Sequence, residues 1–189
     1  QTSLVGSEMC IRDRFTGLWV EAKTDTGAYL SRRTKSMLNN IGGVAGQYKT
    51  PAIASELTFF YTNTMQTSPY RGFGRPEATY IIERLIDKAA RETGHDALAL
   101  RQKNLVTPDQ MPYQTGLTFH YDCGDFPRIV EAAATQADYA GFEQRRKQSE
   151  AKGLLRGIGI SNPIEVAGGP FKQIRNCLLY TSDAADDPA

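Results

Sequence analysis

The stretch from Pro76 to Thr93 limits what this chain can fold into more than any other. Ala78, Ile81, Ile82, Leu85, Ile86 and Ala89 recur three and four residues apart, which puts apolar side chains along one helix face. Pro76 suits the first helical turn, where its missing N–H would have no partner. Glu77 complements the positive end of the helix dipole, and Gly94 ends the helix as a C-cap. Burying Ile81, Ile82, Leu85 and Ile86 would stabilise by roughly 1.5–3 kcal/mol each before the entropy of ordering them is subtracted. The 40% hydrophobic and 23% charged content is ordinary for a globular protein and points away from disorder, collagen or coiled coil.

Shorter elements surround this helix. Phe15–Ala22 alternates like a strand. Asp25–Gly27 signals a turn before Ala28–Leu30, and Ser31–Ser36 is basic, polar and read as exposed. Asn39–Gly46, with three glycines, reads as a loop or a short broken helix. Pro51–Thr62 is apolar, β-branched and aromatic, which predicts a buried strand followed by a loop over Thr64–Gly74. Asp96 is placed to cap a second helix from Ala97 to about Lys103. Residues 104–124 read mostly as loop, with turns at Pro108-Asp109 and Gly116. Asp125 is expected to cap Phe126–Ala137, turning Ile129, Val130 and Ala133 inward, and Tyr139–Lys152 is a charged surface helix closed by Gly153. Leu154–Val166 alternates enough for a strand, with Pro163 favouring an edge or a bend. Strands and helices mix without a regular βαβ beat, so the fold class is α+β.

The ends read differently. Leu4–Arg14 and Cys177–Asp187 have no clear periodicity or capping pattern. Back-translating Glu8–Arg14 gives a string that contains AGATGTGTATAAGAGACAG. Its reverse complement, CTGTCTCTTATACACATCT, encodes Cys177–Ser182 in frame after one preceding C. Complementary ends of this kind resemble translated sequencing adapters, so residues 1–14 and 177–189 are read as adapter-like and 15–176 as the natural portion. An AAC codon for Asn176 is the check. The formal net charge of the whole chain is +1, and that of residues 15–176 is +4, too small to suggest nucleic acid or an anionic membrane as partner. No apolar run approaches the roughly 20 residues of a membrane span. Cys123 is the one cysteine left in 15–176, which fits a reducing compartment and argues against a disulfide framework or a zinc site; a cytoplasmic location is expected, with a periplasmic one left open.

The segment Pro69–Glu77, PYRGFGRPE, is the best place for chemistry. Gly72 and Gly74 permit positive φ and a close approach of backbone to a ligand. The helix start beyond them attracts anions, and Arg71 and Arg75 add forked donors. Read from these residues alone, the loop could equally be a plain strand-to-helix connector. A non-catalytic α+β module holding a phosphate or nucleotide at the Gly72–Gly74 helix start is the rival from another class.

Seven blocks carry a resemblance. They are Asp25–Leu30 (DTGAYL), Pro51–Ile53, Tyr61–Asn63, Tyr70–Glu92 (YRGFGRPEATYIIERLIDKAARE), Asp96–Leu105, Thr115–Phe126 (TGLTFHYDCGDF) and Arg156–Pro170 (RGIGISNPIEVAGGP). In that order they resemble the molybdopterin-binding large subunit of the xanthine dehydrogenase, aldehyde oxidase and carbon monoxide dehydrogenase family. The full family subunit is several times longer, so the chain resembles an internal fragment.

The resemblance implies a molybdenum–molybdopterin cofactor, with or without a cytidine dinucleotide extension. It implies Arg71, Gly72, Phe73 and Gly74 as cofactor-binding residues, Arg71 mainly through its backbone. Phe73 would also line the pocket for a small-molecule substrate. Glu165 falls near that pocket by position, although by residue type it reads as an exposed strand-end carboxylate. The implied reaction hydroxylates an aldehyde or N-heterocycle with oxygen from water, using a catalytic glutamate that lies outside the fragment. The implied partners are an iron–sulfur subunit and an FAD subunit in a dimer of heterotrimers. Copper-type carbon monoxide dehydrogenases carry a cysteine directly after the arginine of this loop. Here that position is Gly72, which disfavours their mechanism. His95 reads as a favourable cation at a helix C-terminus or a bystander, His120 as packed among Phe119 and Tyr121, and Cys123 as a small buried or half-buried group. Arg145-Arg-Lys147 reads as a solvated helix face.

Overall fold

The computed structural model describes residues 3–4, 13–29, 41–68, 72 and 74–164. Strands β1 (Ser3–Leu4), β2 (Gly17–Asp25) and β3 (Ala52–Phe60) form one sheet in that order. β1 runs antiparallel to β2, whereas β3 runs parallel to it in a register from Gly17–Ala52 to Asp25–Phe60. A parallel neighbour requires a crossover. Its described part contains a short 3-10 helix, Ile41–Ala45, whose five residues are all buried.

Alternation sets the sheet's two faces. Leu18, Val20 and Ala22 point into the core, and Trp19 between them is 43% exposed. β3 forms where expected but is not a buried strand. Ala52, Ala54 and Glu56 are exposed, and Ile53, Ser55 and Leu57 are half-buried. Among the described residues β3 pairs only with β2, so it is an edge whose outer face has no covering layer.

Helix α1 (Arg75–Thr93) matches its sequence pattern and buries Ala78, Ile81, Ile82, Ile86 and Ala90. It packs on the 3-10 helix and on α2 (Ala97–Asn104), where Asp96 Oδ1 accepts from the Ala99 N–H at 2.8 Å. The core joins these to Phe15, Val44, Tyr48, Leu105, Val106, Tyr121 and Phe126, with the Phe15 ring edge-on to Tyr48 at 5.6 Å. Asn104 ties in the chain that enters β2. It accepts from the Phe15 N–H at 2.9 Å and donates to Asp13 O at 2.8 Å.

The remaining elements depart from expectation in three places. Within 104–124 the 3-10 turn Pro108–Gln110 falls where a turn was expected, but a short hairpin of β4 (Tyr113–Gln114) with β5 (His120–Tyr121) stands where loop was expected. Helix α3 (Phe126–Gln136) is capped by Asp125 as expected, but only Phe126 and Val130 are buried. Ile129 is 62% exposed, and Ala133 also faces outward. Leu154–Ile164 is not a strand. Backbone carbonyls of this segment are taken by side chains of the core rather than by a neighbouring strand. Helix α4 (Phe142–Glu150) is polar and lies at the surface, and Gly153 follows it at φ 71°. The architecture is α+β.

Candidate functional site

Two turns of the chain meet ahead of the glycine loop. Asp25 Oδ1 accepts from the Gly27 N–H at 2.7 Å and from the Thr62 hydroxyl at 2.5 Å, and Oδ2 accepts from the Thr64 hydroxyl at 3.2 Å. These bonds hold the carboxyl of Asp25 below its ordinary range, that from Thr62 most strongly. Backbone bonds add to the lacing, with Ala28 N–H donating to Thr64 O and Thr62 N–H to Gly27 O, both at 3.1 Å. Gly27 sits at φ 74°, and a Cβ there would strike the Met65 carbonyl. The DTG turn therefore fixes the path of residues 60–67, the chain that leads into Pro69–Gly74.

At the far side of that loop, Gly72 and Gly74 have φ of 98° and 89°. Both lie in the region that favours glycine. Arg75 N–H donates to Gly72 O at 3.0 Å and Ala78 N–H to Gly74 O at 3.1 Å, so the turn runs directly into α1. A Cβ at Gly72 would meet the Pro76 ring at 2.8 Å. Gly72 also borders a groove of about 450 Å³ between α1 and the segment Ile160–Ile164. Arg75, Tyr80 and Arg84 line one wall, and Ile160, Pro163 and Ile164 the other. A glycine at 72 with left-handed backbone, bordering a mainly apolar groove, fits a bulky cofactor approached by main chain. It suits a free phosphate less well. Pro76 contributes no N–H, the Arg75 N–H is spent on Gly72, no side chain caps the helix start, and Glu77 sits in its first turn.

Beneath this groove lies a buried polar cluster that sequence reasoning did not single out. Arg101, fully buried, donates from Nε to Glu83 Oε2 at 2.9 Å and from Nη2 to Asp87 Oδ1 at 2.8 Å. Its burial works against the charge most strongly, and the charge of Glu83 together with the bonds to Asp87 and Glu83 outweighs it, raising Arg101 above the ordinary guanidinium value. Tyr48 donates to Glu83 Oε1 at 2.7 Å and accepts from Asn162 Nδ2 at 3.0 Å. Burial first, then the charge of Glu83, pushes the Tyr48 phenol far above its usual range, so it stays protonated as that donor. A signal did exist. Glu83 shares a face with Ile86 and Ala90, and Arg101 with Ala97 and Asn104. Opposite charges on two facing apolar stripes mark a candidate buried pair.

Of the site residues expected from sequence, Gly72 and Gly74 are brought together as described. Arg71, Phe73 and Glu165 lie outside the described residues. His95 and His120 are exposed, and the packing expected of His120 is not found. Cys123 is exposed rather than buried, because its turn projects from the surface, and Asp122 pushes its thiol up. Arg145 is not simply solvated, since it pairs with Asp138. Among the described residues no group of three or more His, Cys, Asp or Glu could hold a metal ion, and no helix is long and apolar enough to cross a membrane.

Comparison with known proteins agrees in one direction. Residues 12–105 match the family model described as a molybdopterin cofactor-binding domain. The chain is 30% identical over 162 residues to the gamma subunit of the 6-hydroxypseudooxynicotine dehydrogenase complex of Paenarthrobacter nicotinovorans, covering 82% of this chain and 20% of that one. It is 31% identical over 167 residues to the carbon monoxide dehydrogenase large chain of Hydrogenophaga pseudoflava, covering 84% and 21%. The crystal structure of quinoline 2-oxidoreductase from Pseudomonas putida 86 superposes with a TM-score of 0.69 at 28% identity, over 75% of this chain and 18% of that one. The chain thus spans about a fifth of the length of these relatives.

Proposed function

We propose, for a chain that belongs to the molybdenum hydroxylase family as part of its molybdopterin cofactor-binding domain, that residues 15–176 come from a subunit hydroxylating an aldehyde or an N-heterocycle with water as oxygen source. When bound, the molybdenum cofactor supplies the two-electron oxidation. The chain's own share is positioning. Arg71, Gly72, Phe73 and Gly74 hold the cofactor through their main chain, the Phe73 ring and Glu165 border the substrate, and α1 braces the loop from below. The observation that carries this reading is the pair of left-handed glycines, Gly72 and Gly74, at the start of a helix anchored in the core. Such anchoring gives a loop the rigidity a preorganised site needs. The proposed partners are an iron–sulfur subunit and an FAD subunit, which carry electrons away, in a dimer of heterotrimers.

Carbon monoxide oxidation through a copper thiolate is the second reading, because a carbon monoxide dehydrogenase large chain is among the relatives. Gly72 argues against it. Its φ of 98° and the nearby Pro76 ring leave no unstrained place for a cysteine side chain.

The test is the full-length subunit, expressed from the extended gene with its partners. It should retain molybdenum, oxidise aldehydes or N-heterocycles, and fail to oxidise carbon monoxide. Phe73→Ala should raise KM or lower kcat while molybdenum content stays near normal. Loss of molybdenum in Phe73→Ala would show that the aromatic ring serves cofactor retention and not the substrate.

A further inference from the structure

The groove beside Gly72 has one wall with no regular secondary structure. Residues 160–164 are neither strand nor helix, yet three buried side chains hold them. Gln47 Nε2 donates to Pro163 O at 3.0 Å, Arg101 Nη2 faces Ile160 O at 3.3 Å, and Tyr48 Oη accepts from Asn162 Nδ2 at 3.0 Å. Gln47, Tyr48 and Arg101 are each more than nine-tenths buried. The opposite wall is α1, which bears Glu83 and Asp87, the two carboxylates that fix Arg101. The same cluster therefore grips both walls. A buried network of this kind has few alternative arrangements, because every broken bond strands a polar group.

We propose that Tyr48 and Asn162 are positioning residues. Their contact, seated on the Glu83–Arg101 pair, sets Ile160–Pro163 as a fixed wall of the groove that opens at Gly72, and so sets the fit of the substrate. This rests on the hydroxylase reading above. Neither residue takes part in the chemistry; each acts by holding a surface in place.

The test uses the full-length subunit assembled with its partners, benzaldehyde, nicotinate and quinoline as probe substrates, and a dye as electron acceptor. Asn162→Ala removes the Tyr48–Asn162 contact alone, and Tyr48→Phe removes it together with the Tyr48–Glu83 bond. Asn162 is only half-buried and belongs to no helix or strand, so Asn162→Ala keeps the fold. For a turned-over probe, each variant should raise KM by about tenfold, with kcat and molybdenum content near those of wild type. Hydrogen exchange over residues 158–164 should quicken in both, and the double variant should lose no more than Tyr48→Phe alone. Faster exchange with unchanged KM would reduce the cluster to a structural role and overturn the proposal. Unchanged exchange, additive losses, or loss of molybdenum would overturn it as well. A wild-type subunit that holds no molybdenum or turns over none of the three probes would instead defeat the hydroxylase reading, and this inference with it, before any variant is made.

Discussion

The glycine loop is approached by two polar clusters that meet water in opposite ways. On the entering side, Asp25 gathers Gly27, Thr62 and Thr64 at the surface. On the leaving side, Glu83 of α1 and Arg101 of α2 pair with almost no exposure. The first shapes a turn by satisfying backbone and hydroxyl donors, and water can replace much of what it does. The second carries charge where water cannot follow, so it holds only while complete. One site loop thus hangs between a forgiving anchor and an unforgiving one.

Removing Arg101 should do the most damage. Arg101→Met leaves Glu83 buried without its cation and should destabilise the subunit by about 3–5 kcal/mol, read as a fall in Tm and in soluble yield. Adding Glu83→Leu should restore much of that loss, since an apolar pair of similar volume replaces an ion pair at little net cost. A stable single variant would erase the contrast between the clusters. Ile86→Ala provides the scale for a purely apolar defect. Ile86 is fully buried, and its truncation should cost about 2–5 kcal/mol in denaturant unfolding, with no rescue by Glu83→Leu. Gly72→Cys should come next, with strain of about 1–3 kcal/mol at its left-handed backbone and no gain of carbon monoxide oxidation on adding copper.

The smallest effect belongs to Asp25 and depends on pH. Its folded value lies below the ordinary 3.8, so the stabilisation it brings is complete well above that pH and is lost as pH falls through the folded value. The Tm difference between wild type and Asp25→Asn should therefore be largest near neutrality and shrink as pH falls below the ordinary carboxylate range. A difference that stayed constant across that range would remove Asp25 from the account.

Both clusters also show what the sequence could and could not disclose. Helix α1 was legible because its stripe repeats over five turns and its ends carry Pro76 and Gly94. The Asp96 and Asp125 caps were legible because capping is a local matter of one side chain and its own helix. Burial was harder to read. Pro51–Thr62 looks apolar enough for the interior, but Ala54 and Phe60 face outward, and a neighbour supplied from elsewhere decides such cases. Ile129 failed for the same reason. Leu154–Ile164 misled because alternation was read as a strand, whereas its hydrogen bonds go to Arg101, Gln47 and Tyr48, more than fifty residues away in the chain. In the site, the glycines announced themselves, while Glu83 and Arg101 were hidden inside ordinary helical blocks.

Several large apolar residues are exposed. Trp19 on the sheet, Tyr61 beside the DTG turn and Leu155 after α4 are exposed, and where such side chains join into a patch they favour association. The isolated polypeptide should accordingly be inactive and prone to aggregate. A soluble product of residues 15–176 that melts cooperatively would contradict this.

The central claim is that the main chain at Gly72–Gly74 lies against the molybdenum end of the cofactor. The most direct measurement is a crystal structure of the full-length subunit with its cofactor bound. The account predicts van der Waals contact between this loop and the cofactor, with the groove of Ile160–Ile164 open beside it. A loop found far from the molybdenum would contradict it.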